Sequence, residues 1–176
     1  VLGARDAARI SGGNVAMNKI TKIPEAPTEH AYFPDNSIIL RCDEIPWTDW
    51  ALPGTRFKLL DYDRNRSYSV ILLEISPEAP AEEHKHIGAA NAYILKGGFS
   101  YEHGTVRAGQ FFIEAGGISH TPHIHPDGCT LLGWNYGVVV GLNEDGSPKG
   151  IVDVDWMIDQ ARANDAFGHL AQVRRT

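Results

Sequence analysis

Short apolar runs broken by turn residues, rather than long helical stretches, set the pattern of this chain. Residues 38–41 form one such run, and Pro46-Trp47-Thr48-Asp49-Trp50 leads into a turn at Pro53-Gly54. β-Branched and aromatic residues over 55–61 and over 67–75 (SYSVILLEI) predict two strands around the polar turn Asp63-Arg64-Asn65-Arg66. Pro77 and Pro80 end the second of these. Tyr93-Ile94-Leu95 then runs to an expected turn at Gly97-Gly98, with Phe99 to His103 continuing beyond it. Residues 109–114 precede another expected turn at Gly116-Gly117. Residues 130–142 read as a glycine-containing strand closed by the turn Asn143-Glu144-Asp145-Gly146. This punctuation predicts an all-β sandwich or barrel.

Only the C-terminus changes period. Asp153 or Asp155 can cap a helix carrying Trp156, Met157, Gln160 and Ala161 at helical spacing, with Gly168 as its stop. The expected organisation is a single domain over 17–176, with a β-barrel from about 37 to 152 and a short helix from about 154 to 165. Residues 1–16, small, polar and Gly-rich ahead of Met17, read as a disordered tail or vector remnant. No internal repeat or low-complexity segment is present.

Composition narrows the function more than the fold. With 176 residues, 43% hydrophobic and 22% charged, the chain can bury one sizeable core. A net charge of −6, with no basic run longer than Arg174-Arg175, argues against nucleic acid or an acidic membrane surface as partner. Cys42 and Cys129 are too few for a disulfide scaffold, so reduced thiols and a cytoplasmic location are expected. No apolar run approaches the ~18 residues of a membrane span, and no leader is expected.

The candidate chemistry lies in histidines. His84 and His86 sit two residues apart, and on a strand that spacing places both side chains on one face at roughly 6.5 Å. His120 follows the Gly116-Gly117 turn, and a neighbouring strand could bring it to the same point. Three imidazoles with open coordination positions suit a catalytic transition metal. The plainer reading makes the pair surface residues of a polar strand start, among Glu82, Lys85 and Glu83.

With these residues in register, the chain resembles a cupin, whose two motifs are G-x5-HxH-x(3,4)-E-x6-G and G-x5-PxG-x2-H-x3-N. His84, His86 and Gly97 match the first, and Gly109, Gly117 and His120 the second. Departures fall at Glu78 for the first Gly, Ala115 for the Pro and Ile124 for the Asn. The family's ligating Glu falls at Ala90, with Asn91 beside it as a weak substitute. A cupin with three His and no carboxylate is similar to the acetylacetone-cleaving and 2,4'-dihydroxyacetophenone dioxygenases. That resemblance implies a cupin jelly-roll barrel with a C-terminal helix. It also implies non-haem Fe(II), with Zn(II), Ni(II) or Mn(II) as other possibilities, and O2-dependent C–C cleavage of a small diketone or α-hydroxyketone. It further implies a carboxylate behind the ligands at Glu114, six residues before His120, and a homodimer or homotetramer.

Other residues are placed by parity. Tyr101 and His103, two apart, share a strand face that lines either the pocket or an ordinary sheet surface. Tyr93 should face away from the metal, and Ile124 inward, which turns His123 and His125 outward. His30 and His169 read as surface residues, and Trp47, Trp50, Phe57 and Trp134 as core or subunit-interface aromatics. Two other functions fit the same resemblance: a non-enzymatic Zn-binding regulatory cupin, and an oxygen-independent lyase or isomerase. The former usually follows a helical partner-binding domain, and the segment ahead of this barrel shows no such pattern, which favours an enzyme.

Overall fold

A computed structural model describes residues 24–171. The expected tail at 1–16 lies outside them. In chain order the strands are β1 (Ala31–Tyr32), β2 (Ile38–Ile39), β3 (Thr48–Asp49), β4 (Thr55–Asp63), β5 (Tyr68–Ile75), β6 (His84–His86) and β7 (Ala90–Tyr101). Then come β8 (Gly104–Arg107), β9 (Phe111–Glu114), β10 (Ser119–His120), β11 (His123–Tyr136), β12 (Val139–Leu142) and β13 (Pro148–Val152), followed by helix α1 (Val154–Ala163).

Two sheets carry the fold. The larger runs β3-β4-β5-β11-β7-β8, with β9 also paired to β7; the smaller runs β10-β6-β12-β13. The pairings are antiparallel, so side chains alternate between an inner and an outer face. The alternation is legible in β5 and its neighbours: Phe57, Leu59, Ile71, Ala92 and Ile94 are all buried on the inner side. Helix α1 starts where Asp153 Oδ1 accepts from Trp156 N at 2.8 Å, an ordinary N-cap. It buries Val154, Met157, Ile158 and Ala161 against Phe57, Leu59, Ile71 and Val152.

Four expectations need correction. Gly97-Gly98 is not a turn: β7 runs straight through it, and the chain reverses only after Tyr101. Gly97 has φ +64°, and a Cβ there would lie 1.9 Å from the carbonyl oxygen of Gly128 on β11. The glycines therefore serve a close backbone approach at an irregular pairing between Ile124 and Cys129. The strand expected over 130–142 is two strands, broken where Gly137 takes φ +115°. The helix ends at Ala163 with Asn164 as C-cap, and Gly168 instead opens a short 3-10 turn (Gly168–Leu170). His169, in that turn, is buried, and its Nε2 lies 2.7 Å from the Leu59 carbonyl oxygen.

Candidate metal centre

The smaller sheet presents all three histidines. β6 carries His84 and His86, and β10 pairs beside it with His120 directly opposite His84. The Gly116-Gly117 turn holds β10 there: Gly117 N donates to His86 O at 2.7 Å, and His86 N to Ile118 O at 2.9 Å. As a result one nitrogen from each ring falls within 4.8 Å of the other two. The rings meet edge to face, with centroids 4.4 to 5.2 Å apart.

Glu114 completes the cluster from the larger sheet. It is buried, with Oε1 2.9 Å from His120 Nδ1 and Oε2 3.4 Å from His86 Nε2. The 2.9 Å contact is too bent for a hydrogen bond, and neither of its two atoms has another partner. Its strand position explains its arrival: Glu114 pairs with Ala90, the position vacant of the expected ligating Glu. A carboxylate thus stands on the same face one strand over from that position, against the rings of His120 and His86.

The neighbours also set which nitrogens are free. His84 Nδ1 donates to Glu82 O at 3.2 Å, leaving the lone pair of a neutral ring on Nε2. His120 turns Nδ1 toward the carboxylate of Glu114 and Nε2 toward His84. These two Nε2 atoms stand 2.8 Å apart. At that distance one ring can donate to the other, and three imidazoles converging within 4.8 Å of one another form a donor set that fits a metal ion. Burial, reinforced by His120 and His86, pushes the His84 pKa down to about 4. Burial likewise lowers His86, against the opposing pull of Glu114. Both rings are therefore neutral, the form that ligates, at neutral pH.

A cavity of about 400 Å³ opens between the sheets beside the histidines. Its walls are mostly apolar, with Ile71, Leu73, Leu131, Phe99, Phe112 and Ile124 from the larger sheet and Val139 and Val152 from the smaller. Trp50 and Trp156 also line it, stacked edge to face at 5.5 Å, so Trp50 is a wall residue and not only a core aromatic. Near solvent, Lys149 Nζ reaches Glu82 Oε2 at 2.7 Å. The SYSVILLEI alternation could have marked Ile71 and Leu73 as wall residues; nothing local to Trp156 marks it as one.

The remaining candidates are dispersed. Tyr101 sets its ring edge to face on His120 at 5.7 Å but does not line the cavity. His103 lies in the exposed turn after β7 rather than on the strand, stacked on the outside of Tyr101. Ile124 faces the cavity, His123 is exposed and His125 Nε2 bonds to Ser100 Oγ at 2.8 Å, so neither histidine joins the cluster. Tyr93 faces outward, Phe57 is core and Trp47 stacks under Arg56 and Lys58. Among the described residues no helix is long and apolar enough to cross a membrane.

A two-sheet β fold around an apolar cavity, with an HxH strand and a third His on its neighbour, defines a cupin. The chain belongs to the ChrR Cupin-like domain family, which matches residues 35–137. No curated protein matches it. Among solved structures it is similar to an RmlC-like cupin from Ralstonia eutropha JMP134, with TM-score 0.66 and 19% identity over 78% of this chain and 90% of that one. It is similar to a provisionally assigned acetylacetone dioxygenase from Methylibium petroleiphilum PM1, with TM-score 0.63 and 17% identity over 78% and 97%. An acetylacetone dioxygenase from Acinetobacter johnsonii aligns with TM-score 0.58 and 13% identity over 92% and 99%. At these identities the likeness is one of fold.

Proposed function

We propose that the protein is a metal-dependent dioxygenase that cleaves a C–C bond of a small diketone or α-hydroxyketone. The observation that carries this reading is the convergence of one nitrogen each from His84, His86 and His120 within 4.8 Å, in an apolar cavity with no carboxylate at Ala90. Bound there, Fe(II) would supply Lewis acidity and electron exchange with dioxygen. Three neutral ligands leave the ion's positive charge uncompensated, which favours a bidentate enolate as the occupant of open positions. Glu114 holds a carboxylate against His120, so it can fix that ring and accept a substrate proton as the enolate forms. The apolar walls exclude water and accommodate the hydrocarbon part of such a ketone.

A second reading, a non-enzymatic Zn-binding regulatory module, is favoured by the family match alone. Metal analysis with oxygen uptake on a panel of diketones and hydroxyketones separates the two. Iron with substrate-triggered oxygen consumption supports the dioxygenase. Zinc with no uptake supports the regulator, and product formed without oxygen shows a lyase or isomerase instead.

A further inference from the structure

Two polar regions of the cavity are already accounted for: the histidine cluster with Glu114, and the Glu82–Lys149 pair near solvent with Glu83 beside it. A further polar side chain, Asn135 of β11, lines the cavity away from both. Strand register places it. Ser69, Asn135, Ala90 and Glu114 form one inward row across β5, β11, β7 and β9. Asn135 therefore stands two strands from Glu114, about 10 Å between Cα atoms, with only the Ala90 methyl between them. The next row carries Gly133 and Ala92 on the same two strands, which keeps the cavity floor low there. The position is built. Ser69 is fully buried, at 1% exposure, and Asn135 Nδ2 donates to its Oγ at 3.3 Å. That bond holds the amide from behind and leaves Oδ1 for the cavity. Other polar residues along the wall are engaged or turned away. Thr55 Oγ1 donates to Leu52 O. Asn91 alternates with the inward Ala90 and Ala92, so its side chain goes to the outer face with Ile113.

We propose that Asn135 reads a hydroxyl at the end of the ligand remote from the histidines, and so selects ketones that carry one across a flat apolar spacer. A ketone held at the histidines would lay that spacer over Ala90, Ala92 and Gly133, where small residues admit a planar group. Its far end then meets Asn135. A hydroxyl both donates and accepts, so it pairs with either end of the amide. An apolar end at that point strips water from the amide without replacing its hydrogen bond, and this is the source of the selection. The ketone end rests on the function proposed above; the hydroxyl end rests on register and burial alone.

Calorimetric titration of the full, zinc-loaded chain with benzoylacetone, its para-hydroxy form and its meta-hydroxy form tests it. The para-hydroxy form should bind about tenfold more tightly than the other two. Asn135→Leu, close in volume, should abolish that preference with circular dichroism and metal content unchanged. Ser69→Ala should reduce it by loosening the amide. If the leucine variant does not fold, the comparison of probes on unaltered protein and on Ser69→Ala still decides. Equal binding of the probes by unaltered protein overturns the proposal, as does a preference that persists in Asn135→Leu, or no binding at all. Oxygen uptake by the iron-loaded chain keeps the two readings apart. A para-hydroxy preference without uptake refutes the dioxygenase and leaves Asn135 assigned, while uptake with no preference does the reverse.

Discussion

Ala90 and Glu114 stand opposite each other on β7 and β9, and their relation decides what the centre can do. Glu114 lies on the far side of His120 from His84, held by a contact of 2.9 Å to Nδ1. Glu114→Gln preserves shape and the contact with that ring, but it removes the charge. The variant should keep its full metal content while substrate-triggered oxygen uptake falls by about 10- to 100-fold. Loss of metal instead would make Glu114 a ligand. Ala90→Glu tests the complementary point by placing a second carboxylate beside the first. It should hold metal longer against a chelator and turn over more slowly, and unchanged turnover would show that the vacancy at Ala90 has no consequence. The histidines were legible because an i, i+2 spacing encodes a shared strand face, whereas the Ala90–Glu114 pairing was not. Offset from His120 pointed to Glu114, but only the β7–β9 register shows which residue it stands opposite.

Strand β7 shows where reading by punctuation fails. Two adjacent glycines look like a turn, and that expectation displaced the strand end and put His103 on a strand face it does not occupy. Their purpose is instead to let the Gly128 carbonyl approach, a long-range requirement with no local signature. Gly97→Ala should therefore cost at least about 2 kcal/mol, combining a left-handed backbone with a clash against main chain. Urea unfolding monitored by circular dichroism would measure it, and a neutral result would mean that β11 can retreat. Elements with local signals fared better: the strands over Thr55–Asp63 and Tyr68–Ile75 and the Asp153-capped helix lie where alternation and capping predicted. His169 was misread as a surface residue because burial by a chain terminus depends on what the terminus docks against. Its ring sits 5.7 Å from that of His30 and against the Leu59 carbonyl, both contacts between residues 110 or more apart in the chain.

Acid should unfold the metal-free protein through its buried imidazoles. His84, His86 and His169 all have native pKa values pushed down by burial, His84 to about 4 from an ordinary 6.5. Between those limits the unfolded chain binds protons that the native one refuses. The stabilisation is therefore complete above pH 6.5 and is lost as pH falls toward about 4. Urea midpoints of chelated protein should drop between pH 7 and 4.5, and more steeply with metal bound, since protons then also compete for the ligands. A flat profile in chelated protein would show that these rings are not held neutral.

All three imidazoles ride on adjacent strands of the smaller sheet, while Glu114 and the ring of Tyr101 reach His120 from the larger. An ion can thus arrive or depart without prising the sandwich apart, so exchange should be governed by passage along the cavity past the Glu82–Lys149 pair. The carboxylate that spans the gap ties the strand carrying it to the rings of His120 and His86, so the spacing of the two sheets at this point is set beside the donor nitrogens themselves.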